Sequence, residues 1–507
     1  MTSHFPDMTH PPDLTREAGR GGPTRLRMPV YVDLLPPCNN ACPAGENIQE
    51  WLRLAKADQD EAAWRELCRN NPFPAIHGRV CYHPCETACN RTQLDGAVSV
   101  HSVERYLGDL AIDQGWGFTA PPRRTGRRVL VIGAGPSGLS AAYQLAMRGH
   151  EVEIRDSSDK PGGMMRYGIP EYRLPRDVLD AEIARIVDLG VRIVPQHTIT
   201  DLLAEQAEGG FDAAFVAIGA HLSKRVDIPN QDASRIVDAV SFLRDVASGE
   251  RPEIGKRVAV YGGGNTAMDA ARVARRLGAE DSIIVYRRTV EQMPAHEEER
   301  TEAIREGVKM NWLQTIQSMD DAGLTVEIME LDADGRPHGT GRFEKLEADT
   351  VILALGQEAD SDFLRKIPGM TFDRDVLQVD HTTLMTDVPG VFAGGDAVPS
   401  ERTVTIGVGH GKRAARQIDA WLASRPSPDG PKNDLATFDK LNVWYFGDNR
   451  RHSQPELDPG ARTDFGEVVG GLSADEARKE AWRCLSCGNC IECDGCVGAC
   501  PEDAVIK

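Results

Sequence analysis

Residues 128–156 read RVLVIGAGPSGLSAAYQLAMRGHEVEIRD, and this stretch constrains the fold more than any other. A β-branched run from Val129 to Ile132 meets Gly133, Gly135 and Gly138. An Ala/Leu-rich helical pattern follows, and a second alternating strand ends at Asp156. Glycine allows the tight turn and the close approach of backbone to a pyrophosphate, and the helix N-terminus favours the anion. A carboxylate at the end of the second strand can accept hydrogen bonds from a ribose hydroxyl. Strand, turn, helix and acid in this register predict an α/β unit built around a dinucleotide.

A second unit, RVAVYGGGNTAMDAARVARRLGAEDSIIVYRR, occupies 257–288, with Gly262, Gly264 and Ala267 on the turn. Its second strand ends on Arg287 and Arg288 instead of an acid. Arginine can pair with a 2′-phosphate that a carboxylate repels, so NADP(H) is favoured over NAD(H). The alternative is that both arginines are solvated surface groups. Further on, TDVPGVFAGGDAV (386–398) runs an apolar strand into Gly394, Gly395 and Asp396, and TIGVGHGKRAA leads into another helix.

A chain of 507 residues is too long for one core, so several domains are expected. The net charge of −19 disfavours nucleic acid and anionic membranes as partners. No stretch approaches the roughly 20 apolar residues of a membrane span. The first 30 residues read as a polar tail without the apolar core of a signal peptide, which predicts a cytoplasmic protein. In that reducing compartment the twelve cysteines are expected to be metal ligands or redox groups, not disulfides.

Their placement matters more than their number, because none lies between Cys89 and Cys484. Cys38-x3-Cys42-Pro precedes a helical stretch, and Cys81-x3-Cys85-x3-Cys89 follows it. Two such loops against a helical scaffold can enclose iron–sulfur clusters, with zinc as the structural alternative. Cys68, alone within EAAWRELCRN, reads as a small packed side chain. At the other end, Cys490-x2-Cys493-x2-Cys496-x3-Cys500-Pro matches the bacterial ferredoxin run, again with zinc as the alternative. The fourth cysteine of that run serves another cluster in two-cluster ferredoxins. No second repeat follows, which leaves Cys500 rearranged into one cluster, a chain shortened relative to its relatives, or a partner that completes the site.

The order of the three glycine motifs over about 127–425 resembles the two-dinucleotide-binding flavoprotein superfamily. The resemblance implies an α/β fold of nested Rossmann-like domains, with FAD in the first site and the pyridine nucleotide in the second. It places Asp396 on the flavin ribityl chain. The implied cofactor-binding residues are Gly133, Gly135, Pro136, Ser137, Gly138, Asp156, Gly163, Arg166, Gly395, Asp396, Thr405 and Gly407, and Gly262, Gly264, Asn265, Thr266, Ala267, Arg287, Arg288 and Gly356. VAIGA (216–220) and ILALG (352–356) read either as crossings between domains or as ordinary buried strands ending in turns. Many members carry a CxxC beside the flavin; this middle has no cysteine, so disulfide reduction is not expected.

GRVCYHPCETACN, VERYLGD, RYGIPEYRLP (166–175) and YRRTVEQMPA (286–295) add a closer likeness. Up to about residue 425 the chain resembles the small, NADPH-oxidising subunit of glutamate synthase. The likeness extends to that subunit's relatives, the ferredoxin-dependent transhydrogenase large subunit and the N-terminal half of dihydropyrimidine dehydrogenase. The resemblance implies two four-iron clusters in a helical N-terminal domain. One takes Cys42, Cys81, Cys85 and a non-cysteine ligand, Glu104, with His101 as the second choice. For the other, the family has a phrase like RCLxC before the first pair, which is missing here and leaves Cys38 and Cys89 without partners. RCLSC appears instead at 483–487, so Cys484 and Cys487 are expected to fold back and complete that cluster. Eleven cysteines, Cys68 excluded, and one carboxylate make twelve ligands, which predicts two to three 4Fe-4S clusters.

The expected domains are a tail (1–30), a helical iron–sulfur domain (31–120) and a discontinuous FAD domain (121–240 and 381–425). An NAD(P)H domain (241–380), a linker (426–480) and a small ferredoxin-like segment (481–507) complete the chain. The expected function is an electron-transfer subunit of a hetero-oligomer, linking NAD(P)H and FAD to ferredoxin or a partner oxidoreductase. That partner is of the glutamate synthase large subunit or 2-oxoacid oxidoreductase type. The alternatives are a subunit of a bifurcating ferredoxin:NADP transhydrogenase, and a non-catalytic iron–sulfur scaffold.

Overall fold

A computed structural model describes residues 34–488, except 225, 227, 230–234, 321–322, 429, 442 and 444–445. The polar tail and Cys490, Cys493, Cys496 and Cys500 therefore lie outside the described residues.

Two parallel sheets form the middle of the molecule, and both glycine units sit where the sequence places them. In the first sheet the strands run Val391–Ala393, Ala213–Val216, Arg128–Ile132, Glu151–Arg155 and Arg192–Val194. Val129 pairs with Val152 and Val131 with Ile154, which sets both β-branched faces between helices. The second sheet repeats the order with Ile236–Asp238, Thr350–Leu353, Arg257–Tyr261, Asp281–Tyr286 and Lys309–Trp312. The unit built on the second sheet is thus inserted before the last strand of the first.

Two expected boundaries move. Ile236–Asp238 is hydrogen-bonded into the second sheet, so that domain begins before residue 241. Leu364, Ile367 and Leu377 pack with Leu130, Val216 and Val391, so the FAD domain resumes before 381. A three-stranded antiparallel sheet (Gln314–Asp320, Gly323–Leu331 and Pro337–Leu346) was not anticipated by the sequence reading.

The N-terminal domain is helical. Trp51, Trp64, Leu67, Val103 and Leu107 are fully buried in its core, and Cys68 is among them, 2% exposed. Helices Pro74–Val80 and Val100–Asp113 cross at backbone contact through two glycines. A Cβ on Gly108 would stand 2.2 Å from Ala75 N, and one on Gly78 2.3 Å from Arg105 Cβ. The domain of the first sheet holds this pair by its end, because Glu182 accepts the Ala75 and Ile76 N–H groups at 3.0 and 3.1 Å.

The expected linker is corrected by the structure: much of 426–480 is bound to the domains. Asn90 Nδ2 donates to Ala436 O at 2.7 Å, Arg79 Nε pairs with Glu467 at 2.7 Å, and Val468 joins the core of the second sheet. Helix Ala474–Trp482 starts with a capping box formed by Ser473 and Glu476 and buries Ala481 in the N-terminal core. The sequence hid this because the contacts are largely polar. Arg483, 1% exposed, donates to the carbonyls of Gly96 and Ala97 at 2.8 Å and pairs with Asp95 and Glu480 at 2.9 Å. Arg91, also 1% exposed, donates to Arg483 O at 2.6 Å. Arg483→Ala removes the arginine paired with the buried Glu480 carboxylate, which keeps only its Ser99 and His452 partners, and is expected to lower the stability of this docked segment by about 3 kcal/mol. Limited proteolysis between 440 and 480 reads the loss; unchanged protection would show that the arginine is dispensable.

Candidate functional site

The first glycine turn is shaped for a ligand that approaches backbone. Gly133 has φ +102, and a Cβ there would lie 2.3 Å from Ala217 O. A Cβ on Gly138 would lie 1.9 Å from Gly133 O, so helix Pro136–Ala146 starts directly against the strand. Gly135 and Gly163 face each other so closely that a Cβ on Gly163 would reach 2.8 Å from Gly135 Cα. Asp156 accepts the N–H groups of Ala134 and Ser158 at 2.6 and 2.7 Å, which fixes its carboxylate at the end of the second strand. Ser137 Oγ is buried without a partner at the helix N-terminus, beside Gly395. An orphan hydroxyl and free helix-end N–H groups fit the pyrophosphate of a dinucleotide.

Helix Val404–Leu422 lies across that helix, with a Cβ on Gly411 only 2.2 Å from Ser137 O. Gly407 faces Pro136 and Ser137 at about the same level. Asp396 precedes it; burial pushes its carboxyl up to about 6, while Arg402 draws it down. Arg166 is already engaged, with Nε donating to Pro161 O at 2.6 Å and an Nη paired to Asp180.

The second turn opens on a cavity of about 500 Å³ lined by Gly262, Gly264, Thr266, Arg287, Arg288 and Gly356. Gly262 has φ +150, and a Cβ there would meet Ala354 O at 2.2 Å. Asn265 and Ala267 sit in the first turn of helix Asn265–Arg276, where Asn265 Oδ1 accepts the His296 N–H at 2.9 Å. Arg287 is exposed and Arg288 half-buried, with Arg288 Nε unpartnered. A guanidinium N–H without an acceptor at the end of the second strand suits a phosphate.

The thiols form two groups. Cys38, Cys89, Cys484 and Cys487 line one small apolar cavity with Ile48, Leu52, Val98 and Val100. Burial, then the nearness of Cys484, Cys89 and Cys487, pushes the Cys38 thiol well up. Burial likewise raises Cys484 to about 12 and Cys487 to about 11. Four thiols converging on one apolar cavity, with Cys38, Cys484 and Cys487 pushed up toward the neutral form, fit a cationic iron centre, which supplies the missing charge. The folded-back RCLSC is what places two of them there.

Cys42, Cys81 and Cys85 make the second group; each of Cys42 and Cys81 adds to the upward push on Cys85. Burial raises Cys81 to about 11, and the Thr405 hydroxyl, which donates to its sulfur, opposes the shift. Glu104 stands beside this group. It is buried, and burial, then Glu46 and Cys81, pushes its carboxyl well up. Asn71 Nδ2 reaches Glu104 at 2.8 Å, Glu46 at 3.0 Å and His77 Nδ1 at 2.8 Å. The sequence reading missed Glu46, Asn71 and His77, whose residue types in helical or loop contexts carry no signal. His101 is turned elsewhere, its Nδ1 2.7 Å from Glu86 Oε1.

The two groups adjoin, since Cys38 also bears on Cys85. They follow in order from the N-terminus of helix Val404–Leu422, through Thr405 and Cys81, to Cys487 and Gly488. There Leu34 N donates to Gly488 O at 3.3 Å. Cys490 to Cys500 continue from that point outside the described residues.

Comparison with known proteins agrees with both halves of this arrangement. The family described as pyridine nucleotide-disulphide oxidoreductase matches residues 127–416. Dihydropyrimidine dehydrogenase domain II, 4Fe-4S cluster, matches 34–116. The chain is 36% identical to the NADP(+)-dependent formate dehydrogenase subunit beta of Moorella thermoacetica, over 89% of this chain and 70% of that protein. It is 34% identical to the glutamate synthase [NADPH] small chain of Azospirillum brasilense, over 77% of this chain and 87% of that one. Among solved structures, Mycobacterium tuberculosis FprA in complex with NADPH matches with a TM-score of 0.50 at 17% identity. It covers 60% of this chain and 85% of that one, and shares the fold.

Proposed function

Because the chain belongs to the pyridine nucleotide-disulphide oxidoreductase family, among the subunits related to the glutamate synthase small chain, we propose that it is the NADPH-facing subunit of a larger oxidoreductase. It exchanges electrons between NADPH and a partner subunit or ferredoxin. The observation that carries this reading is the pair of adjoining thiol groups, Cys42, Cys81 and Cys85 beside Thr405 and Cys38, Cys89, Cys484 and Cys487 around one cavity.

FAD and the clusters supply the interchange between a hydride and single electrons. The chain's own residues bind and orient. Gly133, Gly135 and Gly163 bring backbone to the pyrophosphate of FAD, Ser137 adds a hydroxyl, and Asp396 holds the ribityl chain. Arg287 and Arg288 select the 2′-phosphate, which favours NADP(H). Cys42, Cys81, Cys85 and Glu104 hold one four-iron cluster; Cys38, Cys89, Cys484 and Cys487 hold another. A third is assigned to Cys490, Cys493, Cys496 and Cys500 on their spacing alone. No described helix is long and apolar enough to cross a membrane, and the reading places the protein in the cytoplasm. The relatives' names, a formate dehydrogenase subunit and a glutamate synthase chain, support a partner oxidoreductase without selecting one. With no cysteine between Cys89 and Cys484, the electrons leave by the clusters, not by a flavin-side disulfide.

Anaerobic mixing with NADPH tests this. The flavin absorbance is expected to bleach within the mixing time, followed by the EPR signals of reduced clusters, with NADH acting more weakly. A protein that carries clusters but shows no bleaching with either nucleotide would be a scaffold, and the reading would fail.

A further inference from the structure

We propose that His83, Glu86, His101 and Glu298 form a site for one divalent transition-metal ion of the zinc class, at the seam between the cluster domain and the NADP(H) domain. The donor atoms of His83, Glu86 and His101 all lie within 4.8 Å of one another. His101 Nδ1 is 2.7 Å from Glu86 Oε1, and His83 Nδ1 is 3.8 Å from Glu298 Oε1. Zinc bonds of about 2.0–2.1 Å put tetrahedral donors about 3.3 Å apart, so gaps of up to 4.8 Å among the first three donors must close by up to about 1.5 Å, and Glu298 must turn in from outside that group. Side-chain rotation covers that distance.

The backbone brings the two histidines together. His83 occupies the left-handed region, φ 43 and ψ 53, immediately before Pro84. That turn brings its ring against His101, with centroids 3.9 Å apart and planes 24° apart; since imidazole lone pairs lie in the ring planes, one ring must swing out of the stack for both to reach a single ion. Two imidazoles and two carboxylates are a nitrogen and oxygen set that suits zinc or another borderline divalent ion. Arg451 pairs with Glu86 Oε2 and holds the carboxylate from outside, as outer partners of metal ligands do, while Oε1 faces the histidines and also accepts the His101 backbone N–H at 3.0 Å. All four residues line a cavity of about 750 Å³, wide enough to admit a hydrated ion.

Three of the ligands belong to the N-terminal domain, while Glu298 lies on helix Glu297–Arg305 of the nucleotide domain. The ion would pin the two domains at a point where Tyr82 already stacks on His296, 3.5 Å between centroids.

The test uses the holoprotein with its FAD and clusters, equilibrated with Zn²⁺ and dialysed. One zinc per chain is expected to remain, and the zinc-edge X-ray absorption to show a nitrogen and oxygen shell near 2.0–2.1 Å. Glu298→Gln is expected to weaken retention about 10-fold or more, and His83→Ala to abolish it, at unchanged iron content. Failure to retain zinc, or a sulfur shell near 2.3 Å, would overturn the site, the latter because cysteines elsewhere had captured the ion. Should His83→Ala lose its clusters, Glu298→Gln decides the matter from the other domain, and wild-type retention in it refutes the site.

Discussion

Replacing Cys484 and Cys487 together with alanine is expected to remove about four irons and four sulfides per chain, the content of one whole cluster. In sequence these residues look like the start of the C-terminal ferredoxin-like run, and on that view their loss would leave the N-terminal domain intact. In the fold they close a cavity with Cys38 and Cys89. Two thiols cannot hold a four-iron cluster against solvent, so the loss should be complete for that cluster. Cys38→Ala should cost the same iron, and combining it with the double replacement should cost no more, since both act on one site. Cys68→Ala serves as the control: Cys68 sits in the apolar core, and its loss should leave the iron unchanged. Iron and acid-labile sulfide counted on purified chains decide the point. An additive loss on combining the variants would mean that the two pairs serve different clusters.

The glycine units were legible because their chemistry is local. A turn that must bring backbone to a phosphate shows itself in glycine spacing, and the β-branched runs beside it state the sheet. The return of 447–488 onto the domains was not legible as a fold, because Arg91 and Arg483 fasten it to the N-terminal domain and Arg462 to the nucleotide domain, rather than an apolar stripe. Only the missing RCLxC hinted at it, through a count of ligands. Arg462 illustrates the difficulty: it is 7% exposed, paired with Glu302, Glu306 and Glu456, and in sequence sits in a stretch of Pro, Gly and charge. The acids around Cys42 were equally silent, since Glu104 becomes unusual only when burial sets it beside Glu46. Glu104 was found by resemblance; nothing about a glutamate on a helix would have singled it out.

Arg287→Ala with Arg288→Ala is expected to lower kcat/KM for NADPH by about 10²-fold or more while leaving that for NADH within a few-fold. Each hydrogen bond to a charged group contributes about 1.5–3 kcal/mol, and 1.4 kcal/mol is a factor of ten. Both arginines follow the strand Asp281–Tyr286 at the edge of the nucleotide cavity, and neither caps a helix nor closes a sheet. Arg288 is the more constrained, half-buried with Nε unpartnered, so it should carry the larger single effect. An exposed Arg287 contributes less and should lose more of its effect in high salt. The comparison of two nucleotides separates recognition from folding, because a damaged cavity lowers both rates together. A small fall for NADPH alone would leave the arginines as solvated surface groups. An equal, large fall for both would assign them to the architecture of the turn. Only the selective loss identifies them as the residues that read the 2′-phosphate. The same measurement fixes which nucleotide pool this chain draws on, independently of which partner takes the electrons.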